Sequence, residues 1–483
     1  MTQSPFPARP RLADHALARR HFTDAGEVVI LHDTRTGGLV RLGAREWGLL
    51  VSADGTRDLE GIVLAAAREN AHARLEALRG FLEQLHAAGL LADGPGEDLE
   101  GGPASGPASG PANPYEPGPA PPDRALAVLP GFSLTCDGSG SCCRLYASVI
   151  FSPAETARAR GLLPQVLDGG GRPDRVFLPE RGSVRGGASA VSLRDGRCAY
   201  LADDGRCAIH AAADEAAKPV GCRLFPVTFS DDGVEIRVSV AVECACVLTS
   251  VGRDGGAPLV PPGARIRADL DEGVFINTLP TQVFVTSTAT ASRVDLAGWS
   301  RAVAASATSV DPIARLESLR RASLAAGLDA PAARRALDEP ALPSPGELLP
   351  WIEALSARAA RRARDDAEWR SAEDLARLAT QWIAAAARAL LEPGACAAHL
   401  AMSADPAVES FYLRAAIHGH QLISDLPLVH ALRDRAVRIL VARALPRVLP
   451  EAAADPACAQ PLALVEAMLR GHGLEAYAHD ASE

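Results

Sequence analysis

Eight of the ten cysteines lie between Cys136 and Cys246, and this clustering constrains the fold more than any other feature. They are spaced as Cys136-x5-Cys142-Cys143, Cys198-x8-Cys207, Cys222 and Cys244-x-Cys246. The other two, Cys396 and Cys458, stand alone in an Ala/Arg-rich region. Converging thiolates select zinc, copper(I) or iron–sulfur clusters. The pattern therefore predicts metal or cluster binding in the middle of the protein.

The compartment decides between metal ligands and disulfides. The N-terminal segment MTQSPFPARPRLADHALARR has no apolar core of the kind found in a secretory signal. No run reaches the roughly 18 apolar residues of a membrane helix, and the run 383–391 is interrupted by Arg388. We therefore expect a cytoplasmic protein without a membrane partner. In that reducing compartment, clustered cysteines more often bind metal than form disulfides.

Length and composition predict several domains. A chain of 483 residues is long for one core, and its formal net charge of −10 argues against a nucleic-acid partner. Residues 94–123 are rich in Gly, Pro, Ala and Ser and contain a short GPAS repeat, which predicts a disordered linker. We therefore predict four parts: a small module at 15–93, the linker, a cysteine domain at 124–255 and a helical domain at 256–483.

The N-terminal module has a compact pattern of two strands and three helices. Strands are predicted at 27–31 and 39–42, with a glycine turn between them, followed by a helix that contains Trp47 and two further helices. The segment VVILHDTRTGGLVRL and the closing FLEQLHAAGLL resemble the winged-helix module of the PqqD-like family. That resemblance implies recognition of a peptide or protein substrate by strand addition.

The remaining chain predicts an α+β, multidomain protein. The cysteine region mixes short strands, such as 235–242, with irregular loops, which is typical of an irregular Cys-rich α/β metal domain. Beyond it, apolar residues recur at helical spacing, which predicts an α-helical C-terminal domain. The helices are predicted at 312–326, 347–364, 372–391, 411–421 and 428–445.

The local cysteine spacing leaves the number of centres open. Cys198 and Cys207 flank the turn signal at 203–205, so a hairpin can bring both thiols together. In an extended chain the adjacent Cys142 and Cys143 point to opposite faces. Either the backbone turns sharply there, or each thiol serves a different centre, or one is not a ligand. Eight thiols make two sites of four thiolates, or one four-iron cluster with four further cysteines.

The cysteine segments resemble a known family. FSLTCDGSGSCCR, CAYLADDGRCAIH, KPVGCRLFPVTF and VSVAVECACV are similar in order and spacing to the YkgJ-like cysteine-cluster family, a zinc- or iron-chelating domain also called CxxCxxCC. One departure is that Ser139 stands where the family name places a second cysteine. The resemblance implies metal ligation by eight residues: Cys136, Cys142, Cys143, Cys198, Cys207, Cys222, Cys244 and Cys246.

Five other residues are weaker candidates, and each also has an ordinary structural interpretation. His210 follows Cys207 by three residues and is either a ligand or a surface residue. Glu243 either moves a proton near the site or occupies an ordinary strand position, and Arg223 either binds an anion or packs. His418 and His420 lie two residues apart, do not share a helix face, and are interpreted as structural.

Together these patterns predict a metal-binding protein whose cofactor is zinc or iron, with a 4Fe-4S cluster as one form. In the first hypothesis it modifies a peptide or protein selected by the N-terminal module. The alternative is a non-catalytic, zinc-stabilised binding, adaptor or metal-handling protein. A third hypothesis comes from the resemblance in cysteine order and layout to flagellin lysine N-methylase, which implies a protein-lysine N-methyltransferase-like enzyme. The sequence shows no S-adenosylmethionine motif that supports it.

Overall fold

The computed structural model describes residues 6–482 except 25, 69–70, 95–122, 137, 139, 146–148, 167–174, 181–186, 271–273, 305–310, 403–404, 425 and 451–458. The predicted linker, Ser139 and Cys458 therefore lie in whole or in large part outside the described residues. The strands are β1 (Pro10–Leu12), β2 (Ala16–Thr23), β3 (Gly26–Asp33), β4 (Leu39–Gly43), β5 (Leu91–Asp93), β6 (Leu126–Val128), β7 (Ile150–Phe151), β8 (Phe177–Pro179), β9 (Ser189–Val191), β10 (Leu193–Arg194), β11 (Arg197–Cys198), β12 (Val227–Asp231), β13 (Ile236–Val240), β14 (Asn277–Thr278), β15 (Gln282–Phe284) and β16 (Thr290–Ser292).

The helices are α1 (Ala44–Ser52), α2 (Leu59–Arg68), α3 (Leu75–Ala87), α4 (Ser141–Leu145), α5 (Pro153–Leu162), α6 (Ala208–Ala212), α7 (Val220–Leu224), α8 (Ala245–Thr249), α9 (Arg293–Ala304), α10 (Pro312–Ala326), α11 (Ala330–Asp338), α12 (Pro345–Ala367), α13 (Leu375–Leu390), α14 (Ala395–Leu400), α15 (Pro406–His418), α16 (Leu428–Val448), α17 (Pro461–Gly471) and α18 (Tyr477–Ser482). The fold is mixed α and β with several sheets, as the predicted α+β class requires. The finer assignment of winged-helix, metal and helical domains stays a prediction.

The chain forms two compact units. Unit one comprises Met1–Gly110, Tyr146–Gly221 and Trp369–Asp374, and unit two comprises Pro111–Leu145, Cys222–Glu368 and Leu375–Glu483. The predicted cysteine region, 124–255, therefore contributes residues to both units. The division between them falls inside this region, at Gly221 and Cys222.

Unit one is built on a five-stranded sheet in the order β11-β10-β2-β3-β4. Strands β2, β3 and β4 pair antiparallel in chain order, and β10 joins the free edge of β2 in parallel. Buried Val29 and Leu31 on β3 share a core with Trp47, Leu78 and Leu82 of the following helices. Because β10 comes from residues beyond the predicted linker, the sheet of the N-terminal module is completed by a distant part of the chain.

Unit two combines a four-stranded sheet, in the order β14-β12-β13-β6, with a large helical core. Every residue of β13 is buried, and α16 lies among the helices with buried Leu432, Ile439 and Leu440. The predicted helix at 312–326 coincides with α10, where Asp311 caps the first turn and Gly327 ends the helix at a φ of 62°.

Buried charges hold α16 against its neighbours. Glu466 on α17 lies 2.7 Å from the Arg435 guanidinium and 2.8 Å from that of Arg438, and it also accepts a hydrogen bond from the Tyr412 hydroxyl. Burial alone raises the pKa of Glu466, but the two guanidinium groups outweigh it and hold the pKa at about 2.

In the described part of the chain, no helix is long and apolar enough to cross a membrane.

This network predicts a pH-dependent contribution to stability. Glu466→Gln leaves the buried Arg435 without its carboxylate partner, while Arg438 keeps Asp434, so the free energy of unfolding at pH 7 should fall by about 3–5 kcal/mol. Because the pKa of Glu466 is depressed in the folded state, its contribution is present above the unfolded value near 4.5 and is lost as the pH falls towards 2. Urea unfolding followed by circular dichroism measures both effects.

The exposed Glu353 on α12 offers the matched control, because Glu353→Gln removes the same charge at a position open to solvent. Its free energy of unfolding should stay within about 0.5 kcal/mol of the parent value. Equal stability of Glu466→Gln and Glu353→Gln at pH 7 would contradict the assignment.

Candidate metal centre

The eight predicted ligands are divided between the two units. Cys198 and Cys207 belong to unit one, and unit two contains the other six: Cys136, Cys142, Cys143, Cys222, Cys244 and Cys246. Within the described ranges, no group of three or more His, Cys, Asp or Glu side chains is arranged to hold one metal ion. The arrangement consists instead of thiol pairs.

Cys136 and Cys246 form the first pair, although 110 residues separate them in sequence. Their Sγ atoms lie 4.0 Å apart, with Cys136 exposed and the Cys246 residue 6% exposed. Cys246 lies in the first turn of α8, whose N-cap is Cys244. The pair therefore joins an exposed loop to a buried helix and can be reached from solvent on the Cys136 side.

Ser250 and Gly256 set the separation of that pair. The Ser250 hydroxyl accepts a hydrogen bond from the Thr135 amide at 2.9 Å and donates one to the Cys246 carbonyl at 2.7 Å. Farther along, Leu134 and Ala257 exchange backbone hydrogen bonds of 2.8 and 2.9 Å. A Cβ atom on Gly256 would lie 2.7 Å from the Leu134 carbonyl oxygen, so this close approach requires glycine. These contacts fix the backbone on both sides of the thiol pair.

Cys142 and Cys143 form the second pair on the short helix α4. Their Sγ atoms also lie 4.0 Å apart. Gly140 precedes the helix with a φ of 67°, and its carbonyl accepts a hydrogen bond from the Cys143 amide at 2.9 Å. Of the three arrangements that the sequence left open, the backbone turns sharply here, and the two adjacent thiols come close together.

The C-terminal end of α17 contacts two cysteine segments of unit two, the one that ends with α4 and the one around Cys244. His472 Nε2 lies 2.6 Å from the carbonyl oxygen of Leu145, the last residue of α4. Arg470 lies 3.3 Å from Glu243, the residue before Cys244. Glu243 lies in a turn after β13, not in a strand as the structural interpretation had it, and it is held in an ion pair. No local sequence pattern marks His472, Arg470 or Ser250, because their contacts cross between 115 and 327 residues of chain.

The thiol separations fit ligation of one ion by each pair. Tetrahedral zinc with Zn–S bonds of about 2.3 Å places neighbouring sulfur atoms about 3.8 Å apart. Both observed separations are 4.0 Å, far longer than a disulfide bond of about 2.05 Å. Each pair supplies two of the four ligands that a structural zinc needs. Cys222 on α7 is half-buried and Cys244 is buried, so neither is a surface thiol.

In unit one, Cys207 closes the predicted turn against Leu201, whereas Cys198 lies on β11 and pairs with β10. That the hairpin brings the two thiols together stays a prediction. Gly205 turns the chain with a φ of 81°, and Leu201 and Cys207 form an isolated bridge. Both cysteines pack, half-buried, against the cluster that contains Phe151, Phe177 and Tyr200. The structure therefore places these two thiols beside one aromatic core.

The surroundings of the other weaker candidates differ from one residue to the next. His210 is exposed on α6. The Arg223 Nε atom is buried and has no hydrogen-bond partner among the described residues. His418 Nε2 lies 2.9 Å from the Ala127 carbonyl, and burial lowers the pKa of His418 to about 4. A neutral, buried His418 agrees with its structural interpretation.

His420 belongs to a network that resembles a hydrolytic triad in composition only. Its ring lies 3.2 Å from Asp232 and 3.4 Å from the Ser300 hydroxyl. The three residues are 0–4% exposed, and Asp232 is also paired with Arg237 at 3.0 Å. A substrate cannot reach Ser300 in this arrangement, so the network ties β12, β13 and α9 together rather than performing hydrolysis.

Comparison with known proteins adds no assignment. No protein-family model, no curated protein and no solved structure matches the chain. The interpretation of the cysteines therefore depends on their spacing in sequence and on the two thiol pairs.

The first thiol pair predicts a specific oxidation product. In metal-stripped protein treated with diamide, Cys136 and Cys246 should form the main new disulfide, because their Sγ atoms need to approach by only about 2 Å. Cys142 and Cys143 start at the same separation, but adjacent Cα atoms about 3.8 Å apart are too close for an unstrained disulfide. Peptide mass spectrometry under non-reducing conditions identifies the linked fragments. Cys396→Ser, which removes a buried thiol on α14, should leave this product unchanged. Cross-linking of Cys136 mainly to another cysteine would contradict the geometry.

Proposed function

We propose that this chain is a metal-binding cysteine-cluster protein that holds zinc, iron or an iron–sulfur cluster through its central thiols. The approach of Cys136 to Cys246 carries this proposal, since residues 110 positions apart bring their Sγ atoms to 4.0 Å. A second pair at the same separation, Cys142 and Cys143, supports it. Each pair has a spacing suited to two thiolate ligands of one soft metal ion.

The six cysteines of unit two are the primary ligands in this proposal, and Cys198 and Cys207 complete the set of eight. Bound metal supplies Lewis acidity or redox chemistry, or it simply stabilises the fold. The chain's own residues position the thiols: Ser250 holds the Cys246 carbonyl, and His472 holds the end of α4. Because Cys136 is exposed, this side of the site is open to solvent, which favours an accessible centre over a closed structural one.

A peptide or protein partner is proposed for unit one. Strand β4 is the last strand of the described five-stranded sheet, and its sequence carries the resemblance to a peptide-recognition module. An edge strand of this kind can accept a further strand through backbone hydrogen bonds, while side chains give selectivity. The proposed activity is therefore modification of a peptide or protein chosen by unit one, with the cysteine site supporting the reaction.

Metal content tests the ligand assignment. In protein purified without oxygen, the Cys136→Ser/Cys246→Ser variant should lose most of the bound zinc or iron, because half of a four-ligand site is removed. Ser250→Ala keeps every thiol and should weaken metal affinity about 10–100-fold by releasing the Cys246 backbone. Inductively coupled plasma mass spectrometry measures the metal content, and competition with a chelator measures the metal affinity.

The matched control for metal content is Cys396→Ser, which removes a cysteine outside the cluster and should retain the full metal content. The assignment would be wrong if the Cys136→Ser/Cys246→Ser variant bound as much metal as the parent.

Proline substitutions test strand addition at β4. In an antiparallel pair, neighbouring residues alternate between directing their amide towards the partner strand and away from it. Val40→Pro and Arg41→Pro therefore differ in which backbone amide they remove. The variant at the residue whose amide points away from β3 should keep the parent's thermal stability, because no hydrogen bond between β3 and β4 is lost. That variant should fail to capture phage-displayed peptides that the parent selects. A stable proline variant that captures them equally well would argue against strand addition.

A further inference from the structure

A cleft of about 700 Å³ lies in unit two beside the first thiol pair. Its walls come from residues 131–133, residues 250–254, the start of α10 and the part of α15 from Pro406 to Arg414. It is independent of the thiols themselves, since no cysteine lines it. Its size is within the range of small-molecule sites, which enclose about 300–1,000 Å³.

One wall of the cleft is aromatic. The rings of Phe132 and Phe411 lie with their centroids 4.7 Å apart at an interplanar angle of 33°. The guanidinium of Arg414 lies over the Phe411 ring, 5.4 Å from its centroid. Phe132 is partly exposed and offers apolar surface to a flat ligand, Phe411 supports its ring from the core at 4% exposure, and a cation lies directly beside them.

The cleft contains a buried arginine donor that an anion could use. Arg414 and Arg253 contribute two cations, and the Arg414 Nε atom is buried without a hydrogen-bond partner among the described residues. Of the two lining carboxylates, Asp311 already accepts hydrogen bonds from the amides of α10 and lies 2.6 Å from Arg443. Arg443 is shared between Asp311 and Glu409, so Asp254 and Asp311 both offset the two arginines. The feature that favours an anion is therefore the unused Arg414 donor rather than a net positive charge.

The cleft shares a residue with the support of the thiol pair. Ser250 lines the cleft, and its hydroxyl binds both the Thr135 amide and the Cys246 carbonyl. A ligand in the cleft therefore lies next to the backbone that carries Cys136 and Cys246.

We propose that this cleft binds a small ligand in which a carboxylate or phosphate group is attached to an aromatic body. The anionic group pairs with Arg414 and Arg253, and the aromatic body packs against Phe132 and Phe411. This site goes beyond the proposed metal function and does not depend on it, because none of the residues that carry it is a proposed ligand.

Calorimetric titration of the full chain with phenyl phosphate and with benzoate tests the proposal. At least one of them should bind, and which one binds separates a phosphate from a carboxylate ligand. Arg414→Gln should weaken the affinity at least tenfold, since a charge-assisted contact is worth about 1.5–3 kcal/mol. Arg334→Gln removes an exposed arginine on α11 and should leave the affinity unchanged.

A second variant keeps the test decisive if Arg414→Gln loses its fold. Ala407 is exposed in the first turn of α15 and lines the cleft, so Ala407→Trp fills the space without removing a buried contact. It should abolish binding while the circular dichroism spectrum stays that of the parent. Unchanged affinity in a folded Ala407→Trp variant would overturn the proposal.

Two further ligands test the chemical class. Phenol tests the aromatic body without the anion, and inorganic phosphate tests the anion without the aromatic body. Both should bind at least tenfold more weakly than the aromatic anion. The proposal would be overturned if phenol or inorganic phosphate bound as tightly as the aromatic anion, or if neither phenyl phosphate nor benzoate bound. Metal content measured on the same samples separates the two proposals, because Arg414→Gln should keep all of its metal.

Discussion

The hydrogen bonds of the Ser250 hydroxyl are the contact on which the candidate site depends. One side chain joins the Thr135 amide to the Cys246 carbonyl and so couples a loop to the helix α8. Cys136 is an exposed thiol on an irregular segment, and this contact holds the residue that precedes it. Leu134 and Ala257 reinforce the same connection through paired backbone hydrogen bonds, and Gly256 permits their close approach. These contacts support the 4.0 Å separation between the Sγ atoms of Cys136 and Cys246.

The helical core supports the site from the other side. Glu466 fixes α17 to α16 through Arg435 and Arg438, and the same helix ends at Arg470 and His472, which hold the two cysteine segments. Buried charge of this kind is costly unless it is fully paired, and here the carboxylate and both guanidinium groups are paired. The buried charges of the core are therefore connected to the thiols through a series of contacts. These contacts run from α16 to α17, and from the end of α17 to α4 and to the residue before Cys244.

The sequence predicts those parts of the fold whose signals are local. Helix α10 was predicted with its observed bounds because Asp311, Pro312 and Gly327 mark its ends within the chain. Strand β2 was missed, since its polar Arg19 and Arg20 resemble a solvated segment. Both arginines find carboxylate partners in the folded unit, Glu180 and Glu27.

The features of the fold and of the candidate site that the sequence did not predict depend on non-local contacts. The cysteine spacing indicated where thiols cluster, but not that Cys136 would lie beside Cys246 or that the region would be divided between two units. Nor does any local pattern mark Ser250 or His472 as supports, because their partners lie 115 and 327 residues away. Parallel pairing of β10 with β2 is hidden from the sequence for the same reason.

X-ray absorption spectroscopy at the edge of the bound metal, on anaerobically purified protein, tests the central claim most directly. It measures the identity of the donor atoms and their distance from the metal. The account predicts a first shell dominated by sulfur, at about 2.3 Å for zinc. It also predicts that sulfur scatterers are lost in the Cys136→Ser/Cys246→Ser variant. A first shell of oxygen and nitrogen alone, or protein that binds no metal while its thiols are reduced, would contradict it.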